Sequence, residues 1–251
     1  MLGAAAFATA LLAAPLVGLL QRAPWTSIVR RLSDPAVLDA LRVSLVVSVS
    51  ATAVATVIGL PLAWALARDA LPGARLIRSA VLVPMVLPPV VAGTALLYAL
   101  GRKSPIGSRL DHWFGITLPF TTTGATIAAA FVALPFFITT VEAALRQLGT
   151  NLDEAAATCR SGPLTTLWLV TLPAIRSAFI AGITLTWARA LGEFGATLTF
   201  AGSVGGRTRT LPLQTFVALE SDPETAIAIS VLLLAISIAM LVALRNRITL
   251  R

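Results

Sequence analysis

Very few side chains in this 251-residue sequence could make or break bonds. The one histidine, His112, stands between Asp111 and Trp113 in a polar stretch, with no second ligand or nucleophile beside it. The one thiol, Cys159, excludes an intrachain disulfide and a cysteine-based metal cluster. The one lysine, Lys103, follows Gly101-Arg102, whereas a phosphate-cradling loop of the G-x-x-x-x-G-K-[ST] type needs a glycine directly before its lysine. The apolar stretches hold neither a Ser/His pair nor two carboxylates at helical spacing, which an intramembrane hydrolase would need. No enzyme activity, cofactor or metal is expected of this chain. Any energy source has to lie on another chain or in an ion gradient.

Two polar features remain. Arg189 and Glu193 are four residues apart in an otherwise apolar stretch, so on one helix their side chains meet. A bare charge at membrane depth costs at least about 2.5–3.5 kcal/mol, so the two are expected to pair. Such a pair points to a pathway or gate, and equally to a structural lock that holds its helix against a neighbour. The other feature is Asn151-Leu152-Asp153-Glu154, which reads as a helix start. Asn151 can cap and Glu154 can reach back, as in a capping box. The helix continues through Ala155, Ala156, Ala157 and Thr158, Gly162-Pro163 ends it, and Ser161 with Pro163 can open the next. A short surface helix between two membrane helices is an ordinary connection or a docking element.

The elements that carry these residues follow from composition. Hydrophobic residues make up 57% of the chain and charged residues 12%, with a mean hydropathy of +0.89. A soluble domain carries about 25% charged residues, so this chain cannot cover a solvated surface. Its apolar residues fall into blocks near the ~20 residues that cross a bilayer. Six spans are predicted, at 2–20, 43–67, 79–100, 123–145, 174–200 and 226–244, forming one transmembrane domain over 1–251. The first exceeds the apolar core of a signal peptide and is expected to be retained. Net charge is +8, but the arginines are dispersed with no basic stripe interleaved with aromatics, so the partner is the lipid bilayer and not nucleic acid. Counting Lys and Arg by loop gives nine on each side, with Arg189 left inside a span, so charge does not orient the chain. Gly59, Pro61, Pro84, Pro88, Pro89, Pro135 and Pro173 interrupt the spans, which suits a moving pathway better than an inert anchor.

Glu154-Ala155-Ala156, followed by Val170-Thr171-Leu172-Pro173, resembles the EAA loop of ABC importer permeases. Pro84-Met85-Val86-Leu87-Pro88-Pro89-Val90-Val91-Ala92-Gly93 is similar to the third-span signature of oxyanion permeases. Arg189-Ala190-Leu191-Gly192-Glu193-Phe194-Gly195-Ala196-Thr197 and Gly206-Arg207-Thr208-Arg209-Thr210-Leu211-Pro212-Leu213 resemble the molybdate branch, whose sulfate relatives share much of the first stretch. The resemblance implies an all-α membrane protein with the type I ABC importer permease fold, about six transmembrane helices, and a short cytoplasmic coupling helix between the fourth and fifth. It implies import of an oxyanion, molybdate first and sulfate or tungstate as alternatives, across the plasma (inner) membrane of a prokaryote. The implied partners are two cytoplasmic ABC ATPase subunits, an extracytoplasmic substrate-binding protein and, as one bundle makes half a pathway, a second copy of this chain in a homodimer. Placing the loop in the cytoplasm puts both termini there. Coupling to the ATPase would involve Asn151, Asp153, Glu154, Ala155, Ala156, Arg160, Gly162, Leu172 and Pro173. The family usually has glycine where this chain has Arg160. Pro84, Pro88, Pro89, Gly93, Arg189, Gly192, Glu193 and Gly195 are the pathway or gate candidates. A gradient-driven carrier, which leaves the Glu154 loop unexplained, and an intramembrane enzyme, against which the missing catalytic constellation argues, are the competing readings.

Overall fold

In lipid each backbone amide and carbonyl needs a partner within the chain, and this sequence meets that demand with helices. The computed structural model describes residues 1–158 and 160–248, except for the side chains of 151, 153, 157 and 244–248. Among the described residues every regular element is helical. In chain order these are α1 (Leu2–Gln21), α2 (Ile28–Leu32), α3 (Pro35–Ala67), α4 (Ala74–Val86), α5 (Pro89–Leu100), α6 (Pro105–Phe114), α7 (Thr122–Leu148) and α8 (Asn151–Thr158). Then come α9 (Pro163–Thr166), a π-turn (Leu167–Thr171), α10 (Leu172–Ala174), α11 (Arg176–Leu191), α12 (Gly195–Ala201), α13 (Leu211–Ser221) and α14 (Pro223–Ile248). Four helices, α1, α3, α7 and α14, are long and apolar enough to cross a membrane alone, and two bent pairs raise the number to as many as six.

The centre is built from α3, α7 and α11. Asp34 starts α3 by accepting from the Ala36 amide at 2.8 Å, with Pro35 in the first turn, where its missing N–H costs nothing. The helix therefore begins eight residues before the predicted second span. Val43 and Val47 pack with Ala125 and Ala129 near one end, and Leu66 packs with Leu145 near the other, so α3 and α7 run parallel. Small residues let them approach closely. A Cβ built on Gly59 of α3 falls 2.8 Å from Phe137 Cδ1, and one on Gly182 of α11 falls 3.4 Å from Cδ2 of the same ring. Phe137 is fully buried between these two glycines, with Phe179 edge-on at 5.7 Å between centroids. Trp187 Nε1 donates to Ser48 Oγ at 2.9 Å and ties α11 to α3.

Two predicted spans take a different form. Residues 79–100 are not one straight span: α4 and α5 meet at a bend of 116°. Pro88 and Pro89 lack N–H donors and force the residues before them out of the helical region, leaving Leu87 and Pro88 extended at ψ 134° and 135°. Residues 174–200 are also divided. The segment Pro163–Ala174 meets α11 at 85°, and α11 stops at Gly192 before α12 begins. Pro173 removes a ladder hydrogen bond there, directly after a π-turn that has already widened the helix. Of the remaining helices, α1 is apolar and has no buried residue, with α14 as its main neighbour among the described residues.

The two ends of the bundle are clamped by ions. At one end Arg31 pairs with Asp222 at 2.6 Å and with Glu224, joining α2 to the start of α14. Asp222 also accepts from the Thr225 hydroxyl at 2.6 Å, and these partners, Thr225 before Arg31, hold its carboxyl below the ordinary value. The opposite end carries the α3–α4 turn and the α7–α8 connection, where Arg68 Nη1 donates to Gly149 O at 2.6 Å.

Filling the Phe137 socket is the direct test of this centre. Gly59→Val is expected to destabilise the bundle by about 1–3 kcal/mol through overpacking, read as a lower melting temperature in detergent. Gly3→Ala, on α1 with nothing within 4 Å, should leave the melting temperature unchanged.

Candidate functional site

The loop after α7 is built around a helix of 8 residues. Gly149, at φ +71°, turns the chain out of α7, and Thr150 precedes α8. The Thr150 hydroxyl donates to Glu154 Oε1 at 2.8 Å, while the Glu154 amide donates to Thr150 O at 2.9 Å. The position predicted for Asn151 ahead of the helix is thus held by Thr150, and Asn151 is the first helical residue. A carboxylate near an N-terminus also complements the helix dipole. The side chains of Asn151 and Asp153, and Cys159, lie outside the described residues.

The far end of α8 explains the departure from the family pattern. The Ser161 amide donates to Ala156 O at 3.1 Å across Arg160, whose φ is +59°. This is a Schellman ending, in which the left-handed residue is usually glycine. The bend that glycine would supply is therefore made by Arg160 itself. Glu154, Ala155, Arg160 and Gly162 are exposed, and Ala156 is half-buried. Beneath them α8 rests on the π-turn, and Thr166 Oγ1 donates to Ser161 Oγ at 3.1 Å. Leu172 is buried in the same cluster as Leu66, Leu145 and Ile175, whereas Pro173 is exposed. Of the coupling candidates, the structure puts Glu154 and Ala155 exposed on α8, Arg160 and Gly162 exposed in the turn that follows it, Pro173 exposed on α10, and Leu172 in the core behind them.

A charged network that the sequence reading passed over flanks this loop. Arg78 Nε lies 2.7 Å from Glu142 Oε1, and its Nη2 lies 2.6 Å from Asp69 Oδ1. Arg146 bridges the same two carboxylates at 3.1 and 3.2 Å. Both guanidiniums also reach Leu66 O, at 2.5 and 3.3 Å, covering the open carbonyl end of α3. The hydrogen bond from Arg78 comes first among the causes that hold the Asp69 carboxyl below its ordinary value. The i,i+4 spacing of Glu142 and Arg146 was the available signal; Asp69 in the α3–α4 turn and Arg78 on α4 carry none.

The pathway candidates converge in part. A Cβ on Gly195 of α12 falls 2.6 Å from Pro89 Cβ, and one on Gly93 of α5 falls 2.8 Å from Ala196 O and 2.7 Å from Thr199 Cβ. The third-span and fifth-span signatures are thus in backbone contact through glycines. Glu193 is 2% exposed; its Oε1 accepts from the Ala196 amide at 2.9 Å and so caps α12. Its Oε2 lies 2.6 Å from Arg189 Nη1, an ion pair without the alignment of a hydrogen bond. The pair forms although Glu193 stands past the end of α11, not on one continuous helix with Arg189. A Cβ built on Gly192 meets nothing closer than Ala188 O at 3.6 Å, and Pro84 sits inside α4 short of the break. A cleft of about 920 Å³ lies elsewhere, between α3, α11 and α14, and holds none of these residues.

Residues 55–249 match the family described as the binding-protein-dependent transport system inner membrane component. The chain belongs to this family. Among its relatives, the molybdenum transport system permease protein ModB of Mycobacterium tuberculosis is 41% identical over 225 residues, which are 90% of this chain and 85% of the relative. ModB of Escherichia coli is 38% identical over 210 residues, 84% and 91% of the two chains. The sulfate transport system permease protein CysW of Synechococcus elongatus is 38% identical over 185 residues, 74% and 64%. A binding-protein-dependent inner membrane component is a multi-pass transport subunit, working with an ATPase and a binding protein, and not an intramembrane enzyme.

Two substitutions separate the parts of the site. A non-glycine residue in the left-handed region costs about 1–2 kcal/mol, so Arg160→Gly is expected to slow amide hydrogen exchange over residues 154–158 severalfold, and Arg160→Val to speed it. Glu193→Ala removes both the α12 cap and the countercharge of Arg189, a loss of at least about 2.5 kcal/mol at membrane depth. Its melting temperature is expected to fall clearly further than that of Glu193→Gln, which keeps the acceptor for Ala196.

Proposed function

We propose that this chain is the permease subunit of an ATP-driven molybdate importer, acting as a homodimer of single transmembrane domains with both termini in the cytoplasm. The observation that carries the substrate is the 41% identity to a ModB protein across 90% of the chain. Sulfate is the second reading, favoured by the CysW relatives.

In this reading α8 is the part that docks on the ATPase. Glu154, Ala155, Arg160 and Gly162 offer the exposed surface, and the neighbouring Asn151 and Asp153 belong to the same helix. ATP binding draws the two copies of α8 together. The displacement passes to the π-turn on which α8 rests, then through α10, with Leu172 and Pro173, into α11. At its far end α11 carries Arg189, whose partner Glu193 caps α12. Through Gly195 and Gly93, α12 bears on the bend at Pro88 and Pro89. A rigid-body chain of this kind links ATP binding to opening and closing of the pathway as a two-state shift. Thr197 and Thr210 hold buried hydroxyls without a protein partner, which could donate to water or an anion, while the unpaired Gln214 Oε1 only accepts and suits water.

The test is uptake of labelled molybdate into vesicles that hold the permease with its ATPase and binding protein. Uptake is expected to require ATP and to persist in a large excess of sulfate. Competition by sulfate would move the substrate to the sulfate branch, and uptake without ATP would overturn the coupling role of α8.

A further inference from the structure

At the end of the bundle that carries α8, a cleft of about 550 Å³ opens between the α3–α4 turn and α7. Its charged lining is Arg75, Arg78, Arg146 and Asp69, three cations to one anion. Counting Glu142, which pairs with Arg78 and Arg146, the group still carries one positive charge in excess. The Arg75 side chain is exposed and makes no hydrogen bond or ion pair among the described residues; its guanidinium acts on Asp69 only through space, so its donors stay open beside the network. The same cleft is lined by Gly73 and Ala74, where the 13-residue helix α4 begins with no side-chain cap. The start of α4 adds partial positive charge to the guanidiniums, although the Ala74 and Leu76 amides already donate to Leu71 O and Gly73 O at 3.2 and 2.8 Å. Leu76, beside Arg75, is 76% exposed. The span of α3 ends at Ala67 and that of α7 at Leu148, which puts the cleft at the edge of the apolar layer.

We infer that this cleft binds a phosphate group, with Arg75 as the residue that recruits it and Arg78 and Arg146 as a preset guanidinium floor. Phosphate fits because planar guanidiniums meet its oxygens in pairs and a helix start accepts its remaining charge. The position favours the headgroup of an anionic phospholipid, whose chains would lie along Leu76. Basic pockets between membrane helices are a recurrent mode of headgroup capture. A soluble phosphate presents the same chemistry, and the experiment tells the two apart. An anion held here would bridge the α3–α4 turn to α7 beside the coupling loop.

The full chain, purified in detergent, is mixed with phosphatidylglycerol or phosphatidylcholine of equal chain length, and bound lipid is counted by native mass spectrometry. Phosphatidylglycerol is expected to be retained over phosphatidylcholine, and Arg75→Gln to lower its retention about fivefold. Arg75 has no ion pair to break, so an unchanged melting temperature checks that the variant is folded. Arg102→Gln, at the opposite end of the bundle, should have no effect. Displacement of the lipid by millimolar inorganic phosphate would keep the site and make the soluble anion its ligand. Equal retention of the two lipids, or no change in Arg75→Gln, overturns the proposal. So does protection of Arg75 from arginine-specific modification by the ATPase subunit in lipid-free detergent, which would make this surface a subunit contact.

Discussion

The wedging of Phe137 between Gly59 and Gly182 is the contact on which the arrangement of the other parts depends. It sets the separation of α3, α7 and α11, and with it the register of everything at both ends. Without water to drive association between helices in lipid, close fit has to supply the cohesion. A ring seated against two glycines supplies it with large contact area and no polar cost. The alanines higher on α3 and α7 extend the same close approach toward the other end.

Helices packed this tightly leave their ends as the places where charge must be managed. Each end meets the need with arginine, whose fork can serve two carboxylates and a carbonyl together. At one end Arg31 fastens α2 to α14; at the other, Arg78 and Arg146 gather Asp69, Glu142 and the last carbonyls of α3. Among the described residues the middle of the bundle holds one such pair, Arg189 with Glu193, and its carboxylate has a second task as the cap of α12. The pair thus serves structure directly, and any role in a gate is exercised through α12.

Much of this was legible from residue order alone. Apolar block lengths gave away α1, α3, α7 and α14, because a continuous helix is the only way for such a block to satisfy its backbone in lipid. The Glu154 loop was readable because capping chemistry is local. What block lengths could not reveal was direction. Pro88-Pro89 marks a break, yet the 116° turn that follows depends on how Gly93 and Gly195 let α5 lie on α12, a contact between segments a hundred residues apart. Arg160 shows the opposite failure: its residue type argues against a left-handed bend that the surrounding hydrogen bonds impose. The ionic network was hidden for the same reason as the α5–α12 contact, since Asp69 and Glu142 become neighbours only when α3 and α7 run parallel.

That parallel pairing bears on how the protein is made. Two helices pointing the same way cannot be joined by a hairpin, so α7 reaches α3 only after the intervening α4–α5 segment has carried the chain back across to the side where α3 began. The socket for Phe137 is then still one wall short, because Gly182 follows 45 residues later in the chain. At ~5–20 residues per second of synthesis, the ring waits about 2–9 s for its second glycine. During that interval the nascent chain is a set of inserted but unlocked helices. Assembly with partner subunits therefore belongs to the time after α11 has emerged from the ribosome.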